Sequence, residues 1–286
     1  NPISDTITVF EVGPRDGLQS LGVQVATATK IALIDALARA GLRKIEATSF
    51  VSPRWVPQMA DAGDVMAGIN RQQGVTYAAL TPNERGLDLA LAAGCDEIAI
   101  FASASEGFSH ANLNCSIEES FARFAPVMQR SAEAGLPVRG YLSAVIACPY
   151  DGPTPPAQVH RWAERLLEIG CYEVSLGDTI GAGTPDTLGN VLKPLLHDIP
   201  ADRLAGHFHD TNGLAGDLVV RALDLGLRTF DASVGGLGGC PYAPGAPGNI
   251  DTRKVLECAA ALGFSHGVDL ALLGDAEQIA MSIAAR

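Results

Sequence analysis

The stretch Ala40-Gly41-Leu42-Arg43-Lys44-Ile45-Glu46 recurs in kind, if not in letter, along the chain. It returns as Ala93-Gly94-Cys95-Asp96-Glu97-Ile98, Ala134-Gly135-Leu136-Pro137-Val138, Ile169-Gly170-Cys171-Tyr172-Glu173-Val174 and Leu225-Gly226-Leu227-Arg228-Thr229-Phe230. Each time a helix-like run stops at a glycine, which accepts the left-handed conformation that ends a helix. Each time a short apolar run follows, as a buried parallel strand requires. Extending outward from these joints predicts eight strands, near 7–12, 44–47, 76–80, 97–101, 138–143, 173–176, 204–209 and 230–233, with helical patterns between them. Ile31, Ile34, Leu37 and Ala38 share one helical face; Leu87, Leu89, Leu91 and Ala92 share another more loosely.

Eight alternations in 286 residues predict a closed (β/α)8 TIM barrel spanning 1–286 as one catalytic domain, with additional C-terminal helices. A doubly wound open sheet is the runner-up. It would place a GxGxxG loop after its first strand, and Gly13-Pro14-Arg15-Asp16-Gly17 does not fit that pattern.

Composition narrows the function. With 47% hydrophobic and 18% charged residues the chain can bury a large core, and a formal net charge of -12 opposes binding to nucleic acid or anionic membranes. No apolar run has the length of a membrane span, and Asn1-Pro2-Ile3-Ser4 lacks the pattern of a signal peptide. The six cysteines form no CxxC, so they read as buried free thiols of a reducing, cytoplasmic compartment.

In a barrel, chemistry gathers at the C-terminal ends of the strands. Arg15 and Asp16 stand there after strand one, Glu46 and Ser49 after strand two, Ser175, Asp178 and Thr179 after strand six, and His207 and His209 after strand seven. A loop rich in glycine and proline, 235–249, follows strand eight and carries Cys240 and Asn249. His207 and His209 are two apart on a strand, so both imidazoles face the barrel mouth while Phe208 faces the helices. Two core histidines held by hydrogen bonds are the plain alternative to metal ligation. Asp16 can add a carboxylate and Asn249 an amide oxygen, which with water suits Mg2+ or Mn2+; zinc remains open, a thiolate-rich site does not. Charge alone leaves three residues undecided. Asp178 suits a turn cap, Glu46 a structural salt bridge with Arg43 or Lys44, and Cys240 an inert buried thiol.

These stretches carry a resemblance. Residues 11–19 (EVGPRDGLQ), 45–58 (IEATSFVSPRWVPQ), 114–120 (NCSIEES), 148–152 (CPYDG), 170–181 (GCYEVSLGDTIG), 207–213 (HFHDTNG) and 236–249 (GLGGCPYAPGAPGN) resemble the 3-hydroxy-3-methylglutaryl-CoA lyase family of metal-dependent barrel lyases. The resemblance implies metal ligation by Asp16, His207, His209 and Asn249, and catalytic roles for Arg15, Glu46, Asp178, His207 and Cys240. It implies substrate contacts at Gln19, Ser49, Ser175 and Thr179. The implied reaction is carbon–carbon cleavage of the acyl-CoA to acetoacetate and acetyl-CoA, as in leucine catabolism and ketone body formation. His207, Asp178 and Glu46 are its candidate bases. Alternatives are a paralogue that cleaves or condenses another 3-hydroxyacyl-CoA or hydroxy acid, and a non-catalytic metabolite-binding barrel. The chain departs from the family at Ser20-Leu21-Gly22, Asn212, 213–217 and Arg253. A homo-oligomer, in the first instance a dimer, is the expected assembly. The apolar residues Leu270, Leu272, Leu273, Ile279 and Ile283 either cover the barrel or form that contact.

Overall fold

The computed structural model describes residues 4–286, so the N-terminal reading of 1–3 lies outside the described residues. Eight parallel strands close into a barrel: β1 (Thr8–Glu11), β2 (Lys44–Ser49), β3 (Thr76–Leu80), β4 (Glu97–Ser103), β5 (Val138–Ser143), β6 (Glu173–Asp178), β7 (Leu204–Phe208) and β8 (Thr229–Ala232). Each strand pairs with its neighbours in sequence, and β1 pairs with both β2 and β8. Closure excludes the doubly wound sheet. Helices follow every strand: α1 (Thr27–Ala40), α2 (Ala62–Gly68), α3 (Glu84–Ala92), α4 (Glu106–Leu113), α5 (Ile117–Glu133), α6 (Pro156–Glu168), α7 (Pro185–Asp198), α8 (Ala215–Asp224), α9 (Thr252–Ala261) and α10 (Leu270–Ala284).

The glycine joints behave as their sequence requires. Gly41 ends α1 with φ 105° and returns its N–H to Ala38, and Gly170 and Gly226 adopt φ of 115° and 107° before β6 and β8. The α1 stripe is buried at Ile34, Leu37 and Ala38. The looser stripe on α3 is corrected: Leu87 and Ala90 are buried, whereas Leu89 and Leu91 are 50% and 39% exposed. Leu89 lies about 200° around the helix from Leu87, so a spacing of two cannot hold one face. Helix α10 packs against α1, burying Leu273, Ala276, Ala280 and Ile283, while Leu270 and Leu272 stay exposed. No helix among the described residues is long and apolar enough to cross a membrane. All six cysteines are free, and only Cys258 is not fully buried.

One buried carboxyl closes the barrel seam. Glu11 accepts hydrogen bonds from the N–H of Gly13 at 2.9 Å and Val234 at 3.0 Å, and from the Thr252 hydroxyl at 2.6 Å. It thereby ties β1 to the turn after β8 and to α9. Burial pushes this carboxyl from 4.5 up to about 7, although those hydrogen bonds act to lower it. The folded state favours the neutral acid. Its stabilising contribution is therefore complete below pH 4.5 and is lost as pH rises through about 7, a change of about 3 kcal/mol. Glu11→Gln, which keeps the shape and cannot ionise, is expected to remove that part of the pH dependence. Urea midpoints of both proteins at pH 5 and pH 8 check this; identical pH dependence would refute it.

Candidate active site

The break after β1 is a π-helical turn, Gly13–Gly17, in which the Val12 carbonyl accepts from the N–H of Asp16 at 2.7 Å and of Gly17 at 3.3 Å. Such turns re-aim side chains and are frequent at functional sites. Gly17 is needed for close approach: a Cβ there would lie 2.8 Å from both the Leu237 carbonyl oxygen and the Ser233 hydroxyl. The turn swings Arg15 and Asp16 over the barrel mouth. They line a cavity of about 370 Å³ together with Gln19, Ser175, Thr179, His207 and His209.

A chain of alternating charges crosses the barrel interior beneath this cavity. Glu173 accepts from Arg139 Nε at 2.7 Å, and Arg139 Nη2 donates to Asp231 at 2.7 Å. Asp231 holds His207 Nδ1 at 2.7 Å and accepts from Ser175 at 2.6 Å. His207 Nε2 lies 3.5 Å from Asp16, and Asp16 is 3.3 Å from Arg15 Nη1. Arg15 Nε donates to Glu46, whose other oxygen accepts from Tyr141 at 2.8 Å. Each ion alone would cost several kcal/mol to bury, and pairing along the chain offsets this.

The electrostatics follow from the partners. Burial alone would raise the Asp16 carboxyl, but Arg15, His207 and Asn249 hold it far below its usual range. Burial raises the Glu46 carboxyl, and Arg15 and Tyr141 only partly offset that. Burial would lower His207, yet hydrogen bonds to Asp16 and Asp231 and their charges raise it to about 9. His209 has no such partners; burial and the neighbouring His207 lower it to about 4, so it is neutral with a free lone pair.

The donor set fits a divalent cation. Asp16, His207 and His209 offer ligand atoms that lie within 4.8 Å of one another. His209 is joined to Asn249 by a lone antiparallel bridge just beyond the end of β7. Asn249 donates its amide N–H to Asp16 at 2.8 Å, which leaves its Oδ1 buried without a partner, as is His209 Nδ1. Unpaired buried polar atoms are costly unless something binds them. Four carboxylates, those of Glu46, Asp16, Asp231 and Glu173, also face two guanidiniums and the His207 imidazolium, one positive charge too few. A dication held by Asp16, His207, His209 and Asn249 would redress both deficits.

Other expected site residues stand elsewhere. Asp178 does not line the cavity; it accepts from the N–H of Ala182 at 3.0 Å and Gly183 at 2.9 Å, the turn-capping role. Alternation explains this, since Ser175 and Gly177 face inward on β6 and Asp178 must face out. Burial raises its carboxyl to about 6. Ser49 is buried beside the Leu80 carbonyl, 3.4 Å away, and lines a separate cleft near α2 and α3. Glu46 lies under the cavity rather than on its wall, and its ion pair is with Arg15, not with Arg43 or Lys44. Cys240 is 4% exposed; the next two residues, Pro241 and Tyr242, reach the cavity. Thr179 accepts from the Ala144 N–H at 2.9 Å, and the Gln19 carbonyl Oε1 is buried without a partner. Arg253 turns away from the metal ligands onto Glu277 at 2.7 Å, so its charge does not enter the site.

Sequence reasoning missed Asp231, Arg139 and Tyr141. A signal existed: Arg139 and Tyr141 alternate inward along β5, and an arginine amid a buried strand demands a partner.

Known proteins match this arrangement. The family model described as HMGL-like covers residues 6–280. The chain is 53% identical to the hydroxymethylglutaryl-CoA lyase of Pseudomonas mevalonii, over 92% of this chain and 88% of that protein. It is 50% identical to the 3-hydroxy-3-isohexenylglutaryl-CoA/hydroxy-methylglutaryl-CoA lyase of Pseudomonas aeruginosa, over 95% and 91% of the two chains. The solved HMG-CoA lyase of Brucella melitensis superposes with a TM-score of 0.97 at 53% identity, covering 98% of this chain and 99% of that one.

Proposed function

This chain belongs to the HMGL-like family, and on that premise we propose that it cleaves 3-hydroxy-3-methylglutaryl-CoA to acetoacetate and acetyl-CoA. The observation that carries the reading is the joining of Arg15, Asp16, His207 and His209 on the wall of one cavity. A divalent cation, Mg2+ or Mn2+, when bound by Asp16, His207, His209 and Asn249, supplies Lewis acidity toward the substrate hydroxyl and carbonyl.

The protein's own groups do the rest. Glu46 and Asp16 hold Nε and Nη1 of Arg15, so the guanidinium is fixed with its charge toward the cavity. There it stabilises negative charge on the thioester oxygen as the C2–C3 bond breaks. Asp231 fixes the His207 ring through Nδ1, so its Nε2 faces Asp16 and the mouth. Gln19, Ser175 and Thr179 offer polar contacts along the same wall. Neither acid offers a free oxygen to the substrate: the Asp178 carboxyl is engaged in the turn behind β6, and both oxygens of Glu46 are held by Arg15 and Tyr141 beneath the cavity. Of the three candidate bases His207 lines the cavity. Cys240, next to Pro241 and Tyr242 on the loop over the site, is the proposed proton donor to C2. The exposed Leu270, Leu272 and Met281 of α10 are the surface proposed for a homodimer.

A second reading, a longer apolar branch on C3, is favoured by a specific feature. A cavity of about 720 Å³ adjoins the active site, sharing Gln19, Leu80, Phe101 and Phe108 with it. That space exceeds what a methyl group fills, and the Pseudomonas aeruginosa relative is named for an isohexenyl substrate as well. Purified protein with Mg2+ is expected to release acetyl-CoA from the methylglutaryl thioester. Turnover of the isohexenyl thioester alone would favour the second reading, and release from neither would refute both.

A further inference from the structure

A second convergence of metal-binding side chains lies on the outer wall of the barrel, away from the mouth. His160 and Glu164 are four apart on α6 and so share a face. Asp198, the last residue of α7, meets them there. His160 Nε2 is 2.9 Å from Glu164 Oε1 and 2.9 Å from Asp198 Oδ2. One ring nitrogen carries at most one hydrogen, so it can satisfy only one of two carboxylates at that distance. The three donor atoms all lie within 4.8 Å of one another. Adjacent ligands on a tetrahedral Zn2+ with bonds of about 2.1 Å stand roughly 3.4 Å apart, so the three donors, already 2.9 Å apart at the two nitrogen–oxygen pairs, need to open by only about half an ångström to admit the ion.

The surroundings favour a cation over a third amino-acid partner. Arg161 and Arg165 flank the cluster, but both guanidiniums are drawn to Glu118, at 3.7 Å each. The side chains of His160, Glu164 and Asp198 are 23%, 42% and 57% exposed, which leaves water free to complete a coordination shell.

We propose that His160, Glu164 and Asp198 form a binding site for a divalent transition-metal cation, with Zn2+ as the fitting ion, that clips α6 to α7. Imidazole nitrogen and carboxylate oxygen are both ligands of Zn2+, and one histidine with two carboxylates leaves a position for water. The site acts on stability, since Asp198 closes α7 near the start of β7, at the end of the barrel opposite the chemistry.

Calorimetric titration with Zn2+ tests this on the full chain. Wild type is expected to bind one more equivalent than His160→Gln, and Zn2+ is expected to raise its unfolding temperature by more. Asp198→Asn, a milder change at an exposed position, is expected to lose the same equivalent. Both variants are expected to keep wild-type turnover with Mg2+. Equal Zn2+ stoichiometry in wild type and both variants would overturn the proposal.

Discussion

Arg15→Met is expected to lower kcat/KM by at least a factor of ~100, or about 3 kcal/mol of transition-state stabilisation, while metal binding survives. The guanidinium is a fixed cation on the wall of the cavity beside the metal ligands, and it faces the position where negative charge develops. Its substrate-free contacts are to Glu46 and Asp16, so methionine leaves His207, His209 and Asn249 untouched and frees the Asp16 carboxylate, still held by Asn249, for the cation. The loss is expected mainly in kcat, because the interaction strengthens as the enolate forms. Removing the cation also strands the buried Glu46, and breaking such a pair costs about 3–5 kcal/mol of stability. Circular dichroism and metal titration on the same sample therefore accompany the kinetics. Arg15→Lys, which keeps the charge but not the planar fork, is expected to recover only part of the rate. Near-normal turnover in Arg15→Met would remove Arg15 from the mechanism.

His209→Ala is expected to weaken Mg2+ or Mn2+ binding by at least the 10–100-fold typical of lost groups around a metal, with turnover falling accordingly. In the metal-free protein this substitution should be mild. His209 Nδ1 has no hydrogen-bond partner, so alanine leaves no buried group stranded. His207 makes the contrast. Its loss strips a partner from both Asp231 and Asp16 and is expected to destabilise the apo fold as well. Unchanged metal content in His209→Ala would argue against the ligand set.

Much of this protein could be read along the chain. The glycine joints located the strands to within a residue or two at most ends, because a left-handed helix end and a buried β-branched run are local demands. The pair His207 and His209 declared a shared face through period-two geometry alone. Where local patterns competed, the reading stayed open. Glu46 and Asp178 are both acids at strand ends, and only the fold separates them: one pairs with Arg15 across β1 and β2, the other caps its own turn.

The local code of helices, strands and turns, the closure of eight strands, and the residue types at the mouth were all determined by the sequence itself. Only the tertiary structure decided the wiring of the charges. Arg139, from β5, meets Glu173 on β6 and Asp231 on β8, and Asp231 in turn meets His207 on β7. Those partners lie up to 92 positions apart along the chain, so no short-range periodicity encodes them. They are joined because the interior of a closed barrel is filled by side chains, and a charge buried among them must find its partner across the barrel.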